Sequence, residues 1–226
     1  RPAEPPGPAV VQTRDRGKIL VAQRPYARGD TVLRERALLS VPSGCVPLAS
    51  LVRLDAQARQ QLAELHCPEE LLPPRPEDGG RALSEAVGQR GEALKAVMLE
   101  VGFSMDGAAA FREEAWRLLR VWDANKLYFN GPQGVEQCIF ATLSRMNHSC
   151  EPNVRLIPSG AEGELLALAA VDIAQGEELC ICYTERNVLP MLHFLHLPTE
   201  RRRHLLQRWG FVCNCQRCGL ADEASR

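Results

Sequence analysis

A mixed α+β fold is what this sequence predicts, and three observations predict it. Short aliphatic runs joined by turn chemistry open the chain, a long middle stretch changes to helical spacing, and short strand-like runs return after it. The fold is therefore a framework of short strands carrying a helical insert.

In order, Arg1–Pro8 is rich in proline and has no apolar stretch of the secretory type, so residues 1–9 read as a flexible leader. Lys18–Ala22 and Thr31–Val41 are aliphatic and straddle the turn Ala27–Asp30, which predicts two short strands. Pro42 and Pro47 close this region, giving an N-terminal strand segment over 10–47. From Leu48 the period changes. Leu48, Leu51, Val52, Leu62 and Leu65 fall near helical spacing, as do Leu94, Val97, Met98 and Val101, with the breakers Pro73–Gly80 between them. Phe111, Ala115, Leu118, Leu119 and Trp122 form a third amphipathic segment, so the helical insert spans 48–124.

Between Asn125 and Ile139 the pattern is weak. Asn153–Ile157 and Leu165–Val171 then flank Pro158–Gly163 and predict a hairpin, and the turn Ala174–Glu178 leads into a short apolar strand, Leu179–Tyr183. These make a core region over 125–185. In the last segment, 186–226, Pro198–Thr199 opens a helix with Thr199 as N-cap, running to about Trp209, where Gly210 ends it. Its Arg201–Arg203 triplet reads as a solvated face.

With 226 residues the chain can bury one sizeable core, or one core and a small module. A composition of 45% hydrophobic and 24% charged residues with a net charge of -1 excludes disorder of the whole chain and a strong nucleic-acid field. No apolar run approaches the ~20 residues of a membrane span. The nine cysteines are an odd number in a chain too apolar to need a disulfide framework, which points to a reducing compartment, nucleus or cytosol. There is no phosphate-cradling glycine loop, G-x-S-x-G elbow or pair of metal carboxylates, so hydrolase, kinase and dinucleotide chemistry have no support.

Two stretches carry chemistry. Arg145–Asn153 sets the carboxamide of Asn147, the imidazole of His148, the hydroxyl of Ser149 and the thiol of Cys150 side by side before a turn at Pro152. Cys213, Cys215 and Cys218 have metal-ligand spacing. Three thiols want a fourth ligand, for which Cys150 is the first candidate and Cys180, Cys182, His204 and His148 compete. With four ligands the shell is closed, so one bound Zn(II) is structural. Taken alone, Asn147 and His148 read as satisfied buried polar groups and Tyr183 as a packed aromatic with its hydroxyl bonded. Cys180 and Cys182 read as small buried hydrophobes on one strand face, and His193 with His196, at i and i+3, lack a third ligand.

Together these pieces resemble the SET-domain protein-lysine methyltransferases. Asn147–Cys150 with Pro152-Asn153 looks like the family's central motif, Gly176–Glu178 through Tyr183 like its turn-strand-tyrosine motif, and Cys213, Cys215, Cys218 like the post-SET zinc cluster. Arg16-Gly17 sits where the family has a Gly-Arg-Gly segment, although Asp15 and Lys18 depart from it. Leu197–Arg203 and Trp209–Phe211 are similar to the final helix and aromatic pair of the SET-and-MYND branch. The cysteines and histidines of a MYND module are not in this sequence, and it ends before that branch's C-terminal helical domain would begin.

The resemblance implies a β-clip of several short curved sheets with a C-terminal pseudoknot, in which the Asn147–Cys150 segment threads under the C-terminal stretch. It implies a methyl transfer from S-adenosylmethionine, with S-adenosylhomocysteine as product, to a lysine of a histone tail or another protein. Tyr183 would be catalytic. Asn147, His148, Arg16, Lys18, Asn125 and Phe211 would hold the cofactor, Phe211 by stacking on adenine. Phe140, Tyr183 and Trp209 would line the lysine channel, and Cys150, Cys213, Cys215 and Cys218 would hold zinc. A non-catalytic, zinc-stabilised scaffold of the same fold is the alternative. No oligomeric state is implied.

Overall fold

The computed structural model describes residues 6–14, 16–43, 47–67, 108–131, 134–183 and 191–223. In chain order the elements are β1 (Ala9–Gln12), β2 (Lys18–Val21), β3 (Thr31–Arg36), β4 (Leu39–Pro42), α1 (Leu48–Val52), α2 (Ala56–Ala63), α3 (Ala108–Asn125), β5 (Leu127–Gly131), β6 (Gly134–Ile139), β7 (Asn147–His148), β8 (Val154–Pro158), β9 (Glu164–Ala169), β10 (Cys180–Ile181), α4 (Met191–His196), α5 (Thr199–Leu206) and α6 (Gln216–Glu223). They divide into two compact units, residues 1–36 with 142–226, and residues 37–141.

The first unit holds three small sheets. β1 and β2 form an antiparallel pair that turns at Gly17, whose φ of 66° suits a residue without a Cβ. β3, β9 and β8 form an antiparallel sheet in that order, and the expected hairpin is its β8–β9 half. Alternation along β9 buries Leu165, Ala167 and Ala169 on one face. β7 pairs in parallel with β10, which joins the two motif segments.

The second unit packs helices on the antiparallel sheet β4-β6-β5. Leu118, Leu119, Val121 and Trp122 on α3 meet Leu48, Leu51, Val52, Leu62, Val41 and Ile139 in one core cluster. Helical spacing on α3 delivers them to the same side.

Four expectations are corrected and one stretch without a pattern is filled in. The leader does not run to residue 9, because β1 starts at Ala9. Thr31–Val41 is two strands, because Ala37-Leu38-Leu39 breaks the two-residue period after Arg36; β3 stays in the first unit and β4 enters the second. Leu48–Leu65 is two helices, because Asp55 caps a new one, its side chain accepting from the Ala58 N–H at 2.8 Å. The weak stretch after Asn125 is the β5–β6 hairpin, whose pattern is masked by Glu136 and Gln137, polar yet buried; Ser40 donates to the Glu136 carboxylate. Thr199 is the first helical residue and caps nothing, since its hydroxyl accepts from Arg202 at 3.0 Å. The helix does end as expected, in a 3-10 turn over Gln207–Trp209 closed by Gly210 at φ 74°. The expected helix around Leu94–Val101 and the breakers Pro73–Gly80 lie outside the described residues, and Phe111 and Ala115 fall within α3.

Candidate functional site

The segment before the motif is fixed by a carboxylate. Glu35 accepts from the Thr142 N–H at 2.9 Å and the Leu143 N–H at 2.7 Å, satisfying the open donors of the 3-10 turn Leu143–Arg145. Met146 is then fully buried and the chain enters β7. On the far side of the motif Asn153 braces β10. Its Nδ2 donates to Glu177 Oε1 at 2.9 Å and to the Glu178 carbonyl at 2.8 Å, and its Oδ1 accepts from the Cys180 N–H at 2.8 Å.

A polar edge forms from three residues. β2 lies along the turn at Gly176, with Ala22 N–H donating to Glu177 O at 2.9 Å and Leu179 N–H to Leu20 O at 2.7 Å. That alignment sets Arg16 against Glu178 as an ion pair, and Asn147 Nδ2 donates to Glu178 Oε1 at 3.0 Å. Glu178 thus joins Arg16 to Asn147. In the sequence Glu178 carries only turn chemistry, and its place in the tyrosine motif is the signal that marks it.

Beside this edge is an aromatic group. The His148 ring lies 5.4 Å from Tyr183, 5.8 Å from Phe194 and 6.0 Å from Phe211, and Tyr183 lies 5.3 Å from Trp209 and 6.2 Å from Phe211. Tyr183 is held at both ends. Its hydroxyl donates to the Met146 carbonyl at 2.6 Å, and its backbone N–H donates to His148 Nδ1 at 2.8 Å. Because Nδ1 accepts, the neutral ring carries its proton on Nε2, which faces Cys150 Sγ at 3.3 Å. Burial first, and then Cys180 and Glu178, push the Tyr183 hydroxyl above its ordinary range, so it is a neutral phenol at physiological pH. Phe194 was not foreseen; as a lone aromatic on a short helix it had no distinguishing pattern.

The cysteines gather as expected. Cys150 Sγ lies 3.9 Å from Cys213 Sγ and 3.7 Å from Cys218 Sγ, and these sulfurs with that of Cys215 all lie within 4.8 Å of one another. A tetrahedral zinc with sulfur ligands at about 2.3 Å sets sulfur–sulfur edges of about 3.8 Å, so the group fits one ion. The thiols also oppose one another electrostatically. Its bond with Cys213 and burial push Cys150 up, burial pushes Cys218 up, and the bond from Cys150 draws Cys213 down, so a cation is what allows these three to ionise together. The competing ligands fall away. Among the described residues the group whose ligand atoms all lie within 4.8 Å of one another is Cys150, Cys213, Cys215 and Cys218, and His148, His204, Cys180 and Cys182 are outside it.

The arginine triplet is a further correction. Arg201 is exposed, but Arg202 is 3% exposed and donates from Nε to Cys150 Sγ at 3.3 Å and from Nη2 to Cys218 Sγ at 3.4 Å. Burial opposes its charge, and the bonds to Cys218 and Cys150 outweigh that, so the guanidinium holds its proton more firmly than usual. Arg203 Nε donates to the Cys213 carbonyl at 3.0 Å. Sequence reading missed this because a charge run on a helix is solvated by default.

Lys18 is exposed on β2, in register with Gln12. Asn125 and Phe140 belong to the second unit. Asn125 is buried at the end of α3, its Nδ2 donating to the Val121 and His66 carbonyls at 2.7 Å each, and Phe140 is fully buried just after β6.

A model of the SET domain matches residues 17–184, three-quarters of the chain. The chain belongs to the SET-domain family. Histone-lysine N-methyltransferase SET5 of Meyerozyma guilliermondii is 40% identical over 114 residues, 50% of this SET chain and 20% of that protein. Histone-lysine N-methyltransferase SMYD3 of Homo sapiens is 38% identical over 85 residues, covering 38% of this chain and 18% of that protein. The chain thus spans about a fifth of the length of these curated relatives. Among solved structures, the SET domain of LSMT bound to lysine and AdoHcy superposes with a TM-score of 0.50 at 14% identity, covering 81% of this chain and 50% of that one. That likeness is one of fold: several small sheets with helices between them. No described helix is long and apolar enough to cross a membrane.

Proposed function

We propose that this SET domain is a protein-lysine N-methyltransferase that moves a methyl group from S-adenosylmethionine to a lysine of a histone or another protein, releasing S-adenosylhomocysteine. The observation that carries this reading is the setting of Tyr183: a neutral phenol among His148, Trp209 and Phe211, its proton given to the Met146 carbonyl. The relatives named histone-lysine N-methyltransferase support the reaction class.

The residues fit the donor molecule by chemistry. The half-buried ring of Phe211 meets His148, that of Trp209 meets Tyr183, and Asn147, the chain neighbour of His148, joins Glu178 and Arg16, a combination suited to an adenine and a charged amino-acid end. When bound, the cofactor supplies an electrophilic methyl group on a sulfonium. Phe211 would stack on adenine, Asn147 and His148 would hold the ligand by side chain and backbone, and Arg16 and Lys18 would meet it through backbone. Tyr183, with its proton committed, offers its oxygen lone pairs to the N–H bonds of the incoming amine and so orients the nitrogen lone pair. Desolvation in the channel and the positive charge of the donor's sulfonium would disfavour an ammonium, so the lysine sheds a proton to water before reaction and no strong base is needed. Nitrogen would gain the carbon bond that sulfur loses, and the positive charge would pass from sulfur to the methylated ammonium, leaving a neutral thioether. A reducing compartment, nucleus or cytoplasm, suits the described cysteines, none of which is in a disulfide.

The test is transfer of a labelled methyl group onto fractionated cell proteins, with the acceptor lysine identified by mass. Label on lysine that disappears in Tyr183→Phe supports the reading. A folded, zinc-loaded protein that binds no S-adenosylhomocysteine in calorimetry overturns it in favour of a scaffold.

A further inference from the structure

The buried face of α5 is unusual: its two buried side chains, four residues apart, are Arg202 and Leu206. A buried arginine is costly unless its donors are met and its charge is answered. Here the guanidinium meets four acceptors: Cys150 Sγ through Nε, the Leu197 carbonyl through Nη1, and both Cys218 Sγ and Thr199 Oγ1 through Nη2. Two of those are sulfurs of the metal cluster, and they come from opposite ends of the motif pair, Cys150 from the central segment and Cys218 from the tail. The other two acceptors lie at the start of α5 and fix the fork in place.

Four thiolates around a divalent ion carry a surplus of two negative charges inside a core that also holds Phe194 and Leu206. The one cation in direct contact with these sulfurs among the described bonds is Arg202. Hydrogen bonds to a ligating sulfur withdraw electron density from it and orient it. We infer that Arg202 is the charged hydrogen-bonding partner of the metal centre's sulfurs, beside the His148 ring on Cys150, a positioning residue that offsets the charge of Cys150 and Cys218 and locks α5 to the bound ion. A nucleic-acid or acidic-protein contact through this arginine is excluded by its burial. Simple space-filling would not require four directed donors.

The inference does not depend on what the domain methylates, and its test reads the metal directly. Zinc-loaded wild type, Arg202→Met, Arg202→Lys and Arg201→Met are challenged with a chromogenic chelator, and the cobalt-substituted forms are compared by absorption. Arg202→Met loses about 10- to 100-fold in metal affinity. Its thiolate-to-cobalt charge-transfer band moves to lower energy, because sulfurs without their donors are richer in electrons. Arg202→Lys, which keeps charge but loses the planar fork, falls between, and exposed Arg201→Met matches wild type. If Arg202→Met does not fold by circular dichroism, Arg202→Lys alone decides, by the same two readouts. Unchanged metal affinity overturns the inference. So does weakened affinity with an unmoved cobalt band, since that outcome describes packing rather than contact with the sulfurs.

Discussion

The core of the second unit and the C-terminal core of the first are held by different means. The second packs Leu51, Leu62, Leu119, Trp122 and Ile139 from helices onto a sheet, and burial of large apolar side chains suffices. The first has five buried residues in its C-terminal cluster, and three of them are Cys150, Cys213 and Cys218. Rings and leucines pack around those sulfurs, and a metal with its arginine adds a bond that packing alone does not supply. The contrast teaches where each part will fail: the second core through cavities, the C-terminal core of the first through loss of an ion.

Removing the ion breaks the contrast most sharply. Structural zinc sites of this type contribute about 10–16 kcal/mol of apparent binding energy. Chelation therefore unfolds the segment from α5 to α6 while amides of α1, α2 and β4–β6 remain protected, as hydrogen exchange would show. Loss of protection in both units at once would erase the distinction. The converse is Trp122→Ala, which costs about 3–5 kcal/mol through a cavity in the second core. Denaturant unfolding measures that cost, and the zinc content of the protein that stays folded is unchanged.

Smaller in stability but large in activity is Tyr183→Phe. Transfer falls by about 100-fold or more when an orienting group is lost, while the missing hydrogen bond to Met146 costs about 1 kcal/mol in thermal unfolding. The smallest effect is one of pH. Burial, with Glu136 adding to it, holds the Cys138 thiol up to about 12 from its ordinary value of 9.0, against the lowering effect of the neighbouring Ser40 hydroxyl. A raised thiol favours the folded state fully below pH 9 and loses that contribution as pH rises toward 12. Stability then falls by at most about 1.4 kcal/mol per pH unit from this group. Cys138→Ala flattens the slope in denaturation curves taken between pH 8 and 11.

The same contrast explains what could be read from the sequence. The metal-bearing end was legible because sulfur spacing, a proline-stopped motif and Gly210 are chemical signals that survive without coordinates. Cys150 as first candidate for the fourth ligand follows from the sulfur spacing, and the β8–β9 hairpin from the aliphatic runs on either side of Pro158–Gly163. The second unit was legible in its helical periods but not in its sheet, since Glu136 and Gln137 are buried polar residues that break a strand's alternation. Arg202, Glu178 and Phe194 were missed for another reason. Their importance comes from partners far along the chain, 52 residues away for Arg202 and Cys150 and 31 for Glu178 and Asn147, and no local pattern encodes that. The family match ends at residue 184, before Trp209, Phe211 and the three tail cysteines, so those residues stand on geometry.

On the proposed reading the four-sulfur metal centre holds the C-terminal stretch so that Trp209 and Phe211 complete a cofactor pocket beside Tyr183. Titration calorimetry with S-adenosylhomocysteine, before chelation, after it and after zinc is restored, decides this. One binding site with zinc, none without it, and recovery on adding the metal back are expected; equal affinity in all three states would mean that the metal does not shape the pocket.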